Sequence, residues 1–167
     1  MTLGIRRTTP ADTDTVLGIL DDAARWVAGR RVPGWQTGQW ARTRIQSAIE
    51  RGETYLAHDG DTVVGTVNVQ WTDPKLWPHG AHDAGYVHRL AVARPAHGRS
   101  IGRELLTFAE GIAREQGKRF LRLDCMCASA GLREYYAAAG FRSRGERHGQ
   151  GRTGAWCAAL FEKALRS

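Results

Sequence analysis

Hydrophobic residues recur along the chain with two different spacings, which separate helical from extended segments. In the segments 12–28 and 100–116 hydrophobic residues recur every three or four positions, which predicts two amphipathic helices. Strand-like apolar segments bounded by turn residues fill much of the rest. The predicted elements are strands at 3–9, 54–58, 63–71, 85–92, 120–126 and 154–165, and helices at 12–28, 39–50, 100–116 and 132–140.

The order of these elements, β-α-α-β-β-β-α-β-α-β, predicts an α/β fold. We expect a single mixed, mostly antiparallel central sheet of about six to seven strands, flanked by helices. The chain has no internal repeat, low-complexity tract or linker, so we expect one domain over residues 1–167. Strand 85–92, helix 100–116 and strand 120–126 form a right-handed βαβ unit, and ligands at such units prefer the carboxyl ends of the strands.

The amino-acid composition indicates the kind of protein but does not identify its function. Hydrophobic residues make up 42% of the chain and charged residues 25%, which is ordinary for a globular protein. The amino-terminal stretch MTLGIRRTTPAD lacks the apolar run of a secretory signal, and no stretch reaches the length of a membrane span. We therefore expect a cytoplasmic location and no membrane partner. The net charge of +7 favours a polyanionic partner, whether nucleic acid, an acidic surface or a phosphorylated cofactor.

The chain has three cysteines, Cys125, Cys127 and Cys157. Their odd number and the absence of a framework argue against a secreted disulfide scaffold. Cys125 and Cys127 would point to opposite faces of a strand, so they would not share a metal on one side. We therefore predict no metal ligands and interpret this pair as small core residues.

The stretch YVHRLAVARPAHGRSIGRELL (86–106) joins an apolar strand to a helix through a turn rich in glycine and basic residues. A helix start offers free backbone N–H groups and a positive dipole end. Gly98 and Gly102 allow a close approach of the backbone, and Arg99 and Arg103 add positive charge. The junction therefore predicts a site for phosphates. The alternative is an ordinary strand-to-helix turn with solvated arginines.

Together with the later segment LREYYAAAGF, this junction resembles the GNAT superfamily of N-acetyltransferases over nearly the whole chain. The family's acetyl-coenzyme A (acetyl-CoA) loop reads Gln/Arg-x-x-Gly-x-Gly/Ala. Its six positions here are His97, Gly98, Arg99, Ser100, Ile101 and Gly102. His97 stands in place of the Gln or Arg, and Ser100 in place of the first Gly. The resemblance implies that the amides of this turn, as far as Arg103, hold the pyrophosphate of acetyl-CoA.

The resemblance also implies contacts for the pantetheine arm of the cofactor. By this analogy the strand 86–92 separates from its neighbour 120–126. Backbone groups of Leu90, Ala91 and Val92 would then be free to bond the arm. Ser129 stands where family members often carry an asparagine that contacts the pantetheine.

Two residues are candidates for the chemistry. The family's tyrosine, which protonates the departing thiolate, corresponds to Tyr136 in EYYAAAGF. A phenol pKa of about 10 suits that proton transfer because a thiol has a comparable pKa. The alternative is that Tyr136 only packs with its ring.

The second candidate is a base for the amine. Tyr86, His88 and Leu90 would share one face of their strand, where several family members carry a glutamate. No acid is present there, so His88, with an ordinary pKa of about 6.5, is the candidate base. The alternatives for His88 are a core histidine or a wall residue that orients the substrate. The enzyme could also lack a dedicated base.

We predict an N-acetyltransferase that moves the acetyl group of acetyl-CoA directly to a primary amine. The sequence does not identify this acceptor. The expected partners of the enzyme are acetyl-CoA and the amine, with a homodimer as an option for its assembly. One alternative is a non-catalytic acyl-CoA-binding or regulatory module on the same fold. A nucleic-acid-binding protein is the other, and we do not favour it because the arginines are scattered and no recognition module is evident.

Overall fold

A computed structural model describes residues 3–30, 34–80 and 82–166 of the chain. Over these residues the polypeptide forms seven strands and four α-helices. The strands are β1 (Gly4–Arg7), β2 (Thr54–Asp59), β3 (Thr62–Gln70), β4 (Ala84–Val92), β5 (Phe120–Met126), β6 (Arg142–Gly151) and β7 (Gly154–Ala164). The helices are α1 (Thr13–Gly29), α2 (Arg42–Glu50), α3 (Ile101–Glu115) and α4 (Ala130–Ala138).

The seven strands belong to one mixed sheet in the order β1-β2-β3-β4-β5-β7-β6. Strands β4 and β5 run parallel, as expected for a βαβ unit, whereas β1–β2, β2–β3, β5–β7 and β6–β7 are antiparallel. The predicted α/β class, with one mostly antiparallel sheet flanked by helices, is confirmed. No helix in the described part of the chain is long and apolar enough to span a membrane.

Strand β6 was not among the predicted elements. Its sequence, RSRGERHGQG, has no alternation of apolar residues, because both faces of this edge strand are largely exposed. Pairing with β7 defines it instead, for example Ser143 opposite Phe161 and His148 opposite Cys157. The usable signal was the glycine-flanked turn Gly151 to Gly154, which closes the hairpin.

The described chain divides into two compact units. One unit comprises Met1–Val69 with His88–Phe108. Helices α1 and α2 bury their apolar faces there, as the helical spacing predicted, together with residues of β2 and β4. The buried cluster consists of Val16, Ile19, Leu20, Ile45, Ile49, Leu56 and Ala91. At about 25 cal/mol per Å² of apolar surface, burial of such side chains is the main term that holds this unit together.

The other unit comprises Gln70–Val87 with Ala109–Ser167. Strand β5 lies in its centre, with Leu121 and Leu123 almost completely buried. Arg122, on the same strand, is only 8% exposed. Its guanidinium donates to the Glu162 carboxylate at 2.8 Å and to the Tyr86 hydroxyl at 2.9 Å. The buried charge is therefore paired, as a stable interior requires.

Asp12 stabilises the segment that leads into α1. Its carboxylate accepts two hydrogen bonds from the Arg6 guanidinium, both 2.8 Å long, and one from the Thr9 amide at 2.7 Å. The bonds from Arg6 hold the pKa of Asp12 well below its usual range. Asp12→Ala should lower the free energy of unfolding by about 2 kcal/mol at pH 7, because hydrogen bonds to a charged group are lost.

This effect has a definite pH dependence. A lowered pKa in the folded chain means that the stabilisation is complete above the unfolded pKa of about 3.9 and is lost as the pH falls below it. Urea unfolding of both proteins between pH 7 and pH 3 should therefore show the difference shrinking in acid. The control is Asp14→Ala, since the Asp14 side chain is 80% exposed and its ion pair with Arg42 should contribute little. A difference that grows in acid would contradict this account of Asp12.

Candidate active site

The turn that follows β4 has the backbone shape of an anion site. We call residues 97–103 the phosphate turn. Gly98 and Ser100 both have left-handed backbone angles, with φ of 80° and 61°. The carbonyl of Ser100 accepts hydrogen bonds from the amides of Arg103 and Glu104, at 2.9 and 3.1 Å. These bonds place Ser100 at the start of α3, on an exposed turn, where the first amides of a helix have no carbonyl of the helix itself to bond.

His97 braces this turn with its ring. One ring nitrogen, Nε2, lies 3.0 Å from the Val92 carbonyl oxygen, and the other, Nδ1, lies 3.3 Å from Nη1 of Arg94. A neutral ring that donates from Nε2 and accepts at Nδ1 satisfies both contacts. The Val92 carbonyl, which we expected to be free for the pantetheine, therefore accepts a hydrogen bond from His97.

Trp26 of α1 packs beside the same turn. Its ring lies 5.6 Å from the His97 ring, and the guanidinium carbons of Arg30 and Arg94 lie 4.2 and 4.6 Å from the centre of the Trp26 ring. A cation over the face of an indole ring is stabilised by the negative end of the ring quadrupole. Trp26 thus joins α1 to the phosphate turn, and this side of the turn is strongly basic.

The other predicted cofactor-binding residues differ in the solvent exposure of their side chains. The side chains of Ala91 and Ile101 are buried, at 5% and 1% exposure, so only their backbone atoms could meet a ligand. Leu90 and Gly102 are half-buried, and Arg103 is exposed. Arg99 is also exposed, and its guanidinium forms an ion pair with Asp59 of β2.

Strand β4 contains a left-handed residue that the sequence did not reveal. Arg89 has a φ of 49°, which places a non-glycine residue in the left-handed region inside a strand. It lies between His88 and Leu90, two of the three residues that the regular alternation was expected to place on one face. His88 itself is half-buried.

The side chain of Arg89 is unusual as well. Its Nη1 atom is buried and has no hydrogen-bond partner among the described residues. Burial lowers the pKa of Arg89, and the charges of Arg44 and Arg51 lower it further, against a single opposing Glu53. A half-buried guanidinium with one buried, unused donor favours an anionic group as its partner.

Strands β4 and β5 pair over three residues only. The parallel register runs from Ala84 opposite Phe120 to Tyr86 opposite Arg122. Strand β5 continues beyond this point and pairs with β7 as far as Met126 opposite Ala158. The ladder between β4 and β5 is thus short compared with either strand.

Helix α4 places Tyr136 in a buried position, 8% exposed. The amide of Phe141 donates to the Tyr136 carbonyl at 3.0 Å, and the amide of Gly140 donates to the Ala137 carbonyl at 3.0 Å. These two bonds, with Gly140 at φ 89°, form a Schellman motif that ends the helix. The glycine of the AAAGF segment is therefore required by the left-handed turn, and the phenylalanine follows as part of the same cap.

The surroundings of Tyr136 keep its hydroxyl protonated. Rings of Tyr135, Phe141 and Phe161 lie with their centres 5.5 to 6.1 Å from its own. Burial raises the pKa of Tyr136 well above its usual range, and the nearby Cys125 raises it further. The raised pKa means that the buried phenol is a weaker acid than an exposed tyrosine.

Ser129 immediately precedes α4 and is half-buried. Its amide donates to the Met126 carbonyl at 2.9 Å, and its carbonyl accepts from the Arg133 amide at 3.1 Å. The backbone of Ser129 therefore fixes the start of α4 after β5.

The cysteines differ from the sequence-based interpretation. Cys125 is a buried core residue as expected, and burial raises the pKa of its thiol to about 11. Cys127 is instead bonded to Cys157, with their Cα atoms 5.5 Å apart. The interpretation of Cys127 as a core residue was wrong because it lies one residue past β5, beside β7, where the Cys127 amide donates to the Cys157 carbonyl at 3.1 Å. Only the register of β5 on β7 could have revealed this pairing.

Ser100 occupies a backbone conformation that favours glycine. At φ 61° a side chain costs about 1 kcal/mol, so Ser100→Gly should raise the free energy of unfolding by up to about 1 kcal/mol. Ser47→Gly is the matched control, since Ser47 is exposed in regular helix α2 and the same change should lower stability there by about 0.5 kcal/mol. Thermal or urea unfolding measures both. A loss of stability in Ser100→Gly would contradict the left-handed conformation.

Comparisons with known proteins agree with this fold. The chain is 29% identical over 143 residues to the uncharacterised N-acetyltransferase YesJ of Bacillus subtilis, which covers 80% of this chain and 78% of YesJ. A GNAT-family acetyltransferase from Listeria monocytogenes has a TM-score of 0.77 and 27% identity, covering 98% of this chain and 95% of that one. The structure of yncA from Salmonella typhimurium, with its cofactor acetyl-CoA, has a TM-score of 0.74 at 16% identity, covering 100% and 96% of the two chains.

A family model provides the last comparison. The model described as the acetyltransferase (GNAT) family matches residues 20–141, more than half of the chain, including β4, the phosphate turn and α4. Together with relatives named N-acetyltransferase, it supports an acyltransferase enzyme rather than the non-catalytic alternative. The chain belongs to the GNAT family of acetyltransferases.

Proposed function

We propose that this enzyme transfers the acetyl group of acetyl-CoA directly to a primary amine, within one catalytic domain in the cytoplasm. The observation that carries the proposal is the phosphate turn, whose left-handed Gly98 and Ser100 lead directly into the amino terminus of α3. Free amides at a helix amino terminus bind diphosphate well. The cofactor would supply the activated thioester.

The residues of the turn fit a diphosphate. Gly98 has no atom within 4 Å of the position of a Cβ, so a ligand could approach its backbone. Arg103 is exposed beside these amides, and Arg94 adds charge on the side of Trp26. The role we assign to His97 is to brace the turn through Val92, with only its backbone available to the ligand.

For the pantetheine arm we propose backbone groups of Leu90 and Ala91, with Ser129 as a further contact. The short ladder between β4 and β5 supports this assignment, since strand atoms without a ladder partner need another one. The Val92 carbonyl is left out of this set because it already accepts a hydrogen bond from His97.

For the chemistry we propose Tyr136 as the acid that protonates the departing thiolate. Its place in a segment that the family model matches supports the proposal, and a tyrosine is protonated at neutral pH, as donation requires. We propose His88 as the base that takes a proton from the amine. A neutral imidazole suits this task, and its half-buried position on β4 leaves it partly accessible.

The class of amine is open among small molecules, antibiotics, peptide amino termini and lysine. The test is a panel of these amines incubated with acetyl-CoA and the enzyme, with the acetylated product identified by mass spectrometry. Amino acids belong in the panel, because Arg89, next to the proposed base, has a buried donor that suits a carboxylate. Catalysed formation of one acetylated amine supports the proposal. Acetyl-CoA turnover to an acetylated hydroxyl or thiol product would contradict the amine assignment.

A further inference from the structure

Four side chains that commonly bind metals meet at one edge of the sheet. We call them the edge cluster, and they are Cys127, Glu146, His148 and Cys157. They come from three neighbouring segments, the end of β5, β6 and β7. His148 lies opposite Cys157 in the β6–β7 register, and Glu146 lies two residues before His148, on the same face of β6. The proposed acetyl-transfer chemistry uses none of these four side chains.

The distances within the edge cluster are those of a compact ligand set. Ligand atoms of Cys127, Glu146 and Cys157 all lie within 4.8 Å of one another. Nε2 of His148 lies 3.7 Å from Sγ of Cys157 and 3.5 Å from Oε2 of Glu146. Ligand bonds of about 2.0–2.3 Å around a tetrahedral ion place donor atoms roughly 3.2–3.8 Å apart, so small side-chain movements suffice.

The chemistry of the four groups selects the metal. Two thiolates, one imidazole and one carboxylate are the ligand types that zinc prefers, and hard ions such as magnesium avoid thiolates. We propose that the edge cluster binds one zinc ion in the reduced chain. In a reducing cytoplasm the Cys127–Cys157 bond would be open, which makes both sulfurs available.

Neighbouring groups support this ligand set. Arg133 donates to Oε1 of Glu146 at 3.1 Å and to the Cys127 carbonyl at 3.0 Å. It thereby orients Oε2 of Glu146 toward His148 and Cys157, as an outer hydrogen bond does for a metal ligand. Its charge also offsets the excess negative charge of three anionic ligands around one Zn²⁺. The His148 side chain is 69% exposed, so the ion has a path from solvent.

The disulfide is the oxidised state of the same site. A peroxide such as hydrogen peroxide can act as the two-electron oxidant that forms it. The two bound thiolates together give two electrons to the peroxide, its O–O bond breaks, and with two protons it becomes two water molecules. One S–S bond forms between Cys127 and Cys157, and the zinc ion leaves because two of its four ligands are gone. The edge cluster therefore holds either zinc or a disulfide.

The test uses the full chain without a polyhistidine tag, reduced with a phosphine and stripped of metal by a chelator. Zinc is then titrated in competition with a chromophoric chelator. One zinc per chain is expected, with affinity lowered at least tenfold in Cys157→Ser and in His148→Ala. Controls are Cys125→Ser, a core thiol outside the cluster, and His79→Ala, an exposed loop histidine. Circular dichroism and melting of each variant establish that it is folded.

Two further readouts separate this site from a purely structural disulfide. Cobalt(II) in place of zinc should give thiolate-to-metal charge-transfer absorption that Cys157→Ser weakens and His148→Ala shifts. Peroxide should release the zinc and lower the intact mass by two hydrogens in the wild-type chain. Absence of stoichiometric zinc in the reduced wild type, or equal zinc affinity in the cluster variants and the controls, would overturn the proposal. Neither result depends on acetyl transfer.

Discussion

Tyr136→Phe is expected to lower kcat about a hundredfold or more, because positioned proton donors contribute about 10² to 10⁴ in rate. The affinity for acetyl-CoA should stay within about twofold, since the change removes one oxygen from a buried ring and leaves its packing on Phe141 and Phe161 in place. The measurement is steady-state kinetics with the best amine of the panel, beside calorimetric titration with acetyl-CoA. A pure loss in kcat identifies a group that acts in the transition state.

The matched control for this experiment is Tyr135→Phe. Tyr135 lies next to Tyr136 on α4, is half-buried, and has its ring centre 5.5 Å from that of Tyr136. Its substitution should change kcat by less than about threefold, which is well below the contribution of a catalytic acid. Equal activity of Tyr136→Phe and wild type would remove Tyr136 from the proposed role and leave it as a packing residue.

Gly102→Glu is expected to weaken acetyl-CoA binding at least tenfold. Gly102 lies in the first turn of α3, so a glutamate there would place bulk and negative charge beside the proposed diphosphate. Two like charges about 4 Å apart repel by about 1–4 kcal/mol between bulk water and a protein surface. Calorimetric titration of the variant with acetyl-CoA measures the loss directly.

Unfolding is not the expected cause of that loss. A glutamate in the first turn of a helix is favourable for the helix dipole, and it replaces a glycine of poor helix propensity. The control is Gly111→Glu, further along the same helix, where no atom lies within 4 Å of the position of a Cβ. It should bind acetyl-CoA like the wild type. Unchanged affinity in Gly102→Glu would place the cofactor away from the phosphate turn.

Elements with a strong apolar period were predictable from the sequence. Helix α3 was expected at 100–116 and lies at Ile101–Glu115, because its hydrophobic positions recur regularly and Gly117 ends it. Strand β5 lies at Phe120–Met126, as expected for a buried apolar run. Strand β6 was missed because an exposed edge strand needs only backbone pairing and carries no apolar pattern.

The sequence predicted a candidate site only from local features of the chain. Glycines and arginines marked the phosphate turn, and the left-handed Gly98 and Ser100 are local features of that turn. The left-handed φ of Arg89 was not predictable, because arginine rarely adopts this conformation and no neighbouring residue signals it. The contact of Cys127 with Cys157 depends on the register of two distant strands, which the sequence does not encode locally. Long-range pairings of this kind explain most of what the sequence left open.

The most direct test of this account is calorimetric titration of the wild-type enzyme with acetyl-CoA, with ATP as the comparator, in low salt and in about 0.5 M salt. In about 0.5 M salt the Debye length is about 4–5 Å, so charges farther apart than this hardly interact. The non-specific attraction of anions to a chain of net charge +7 is therefore largely removed. We predict saturable binding of one acetyl-CoA per chain that persists in salt and exceeds the binding of ATP. Binding that is absent, or equal for both ligands and abolished by salt, would contradict the assignment of the phosphate turn as the cofactor site.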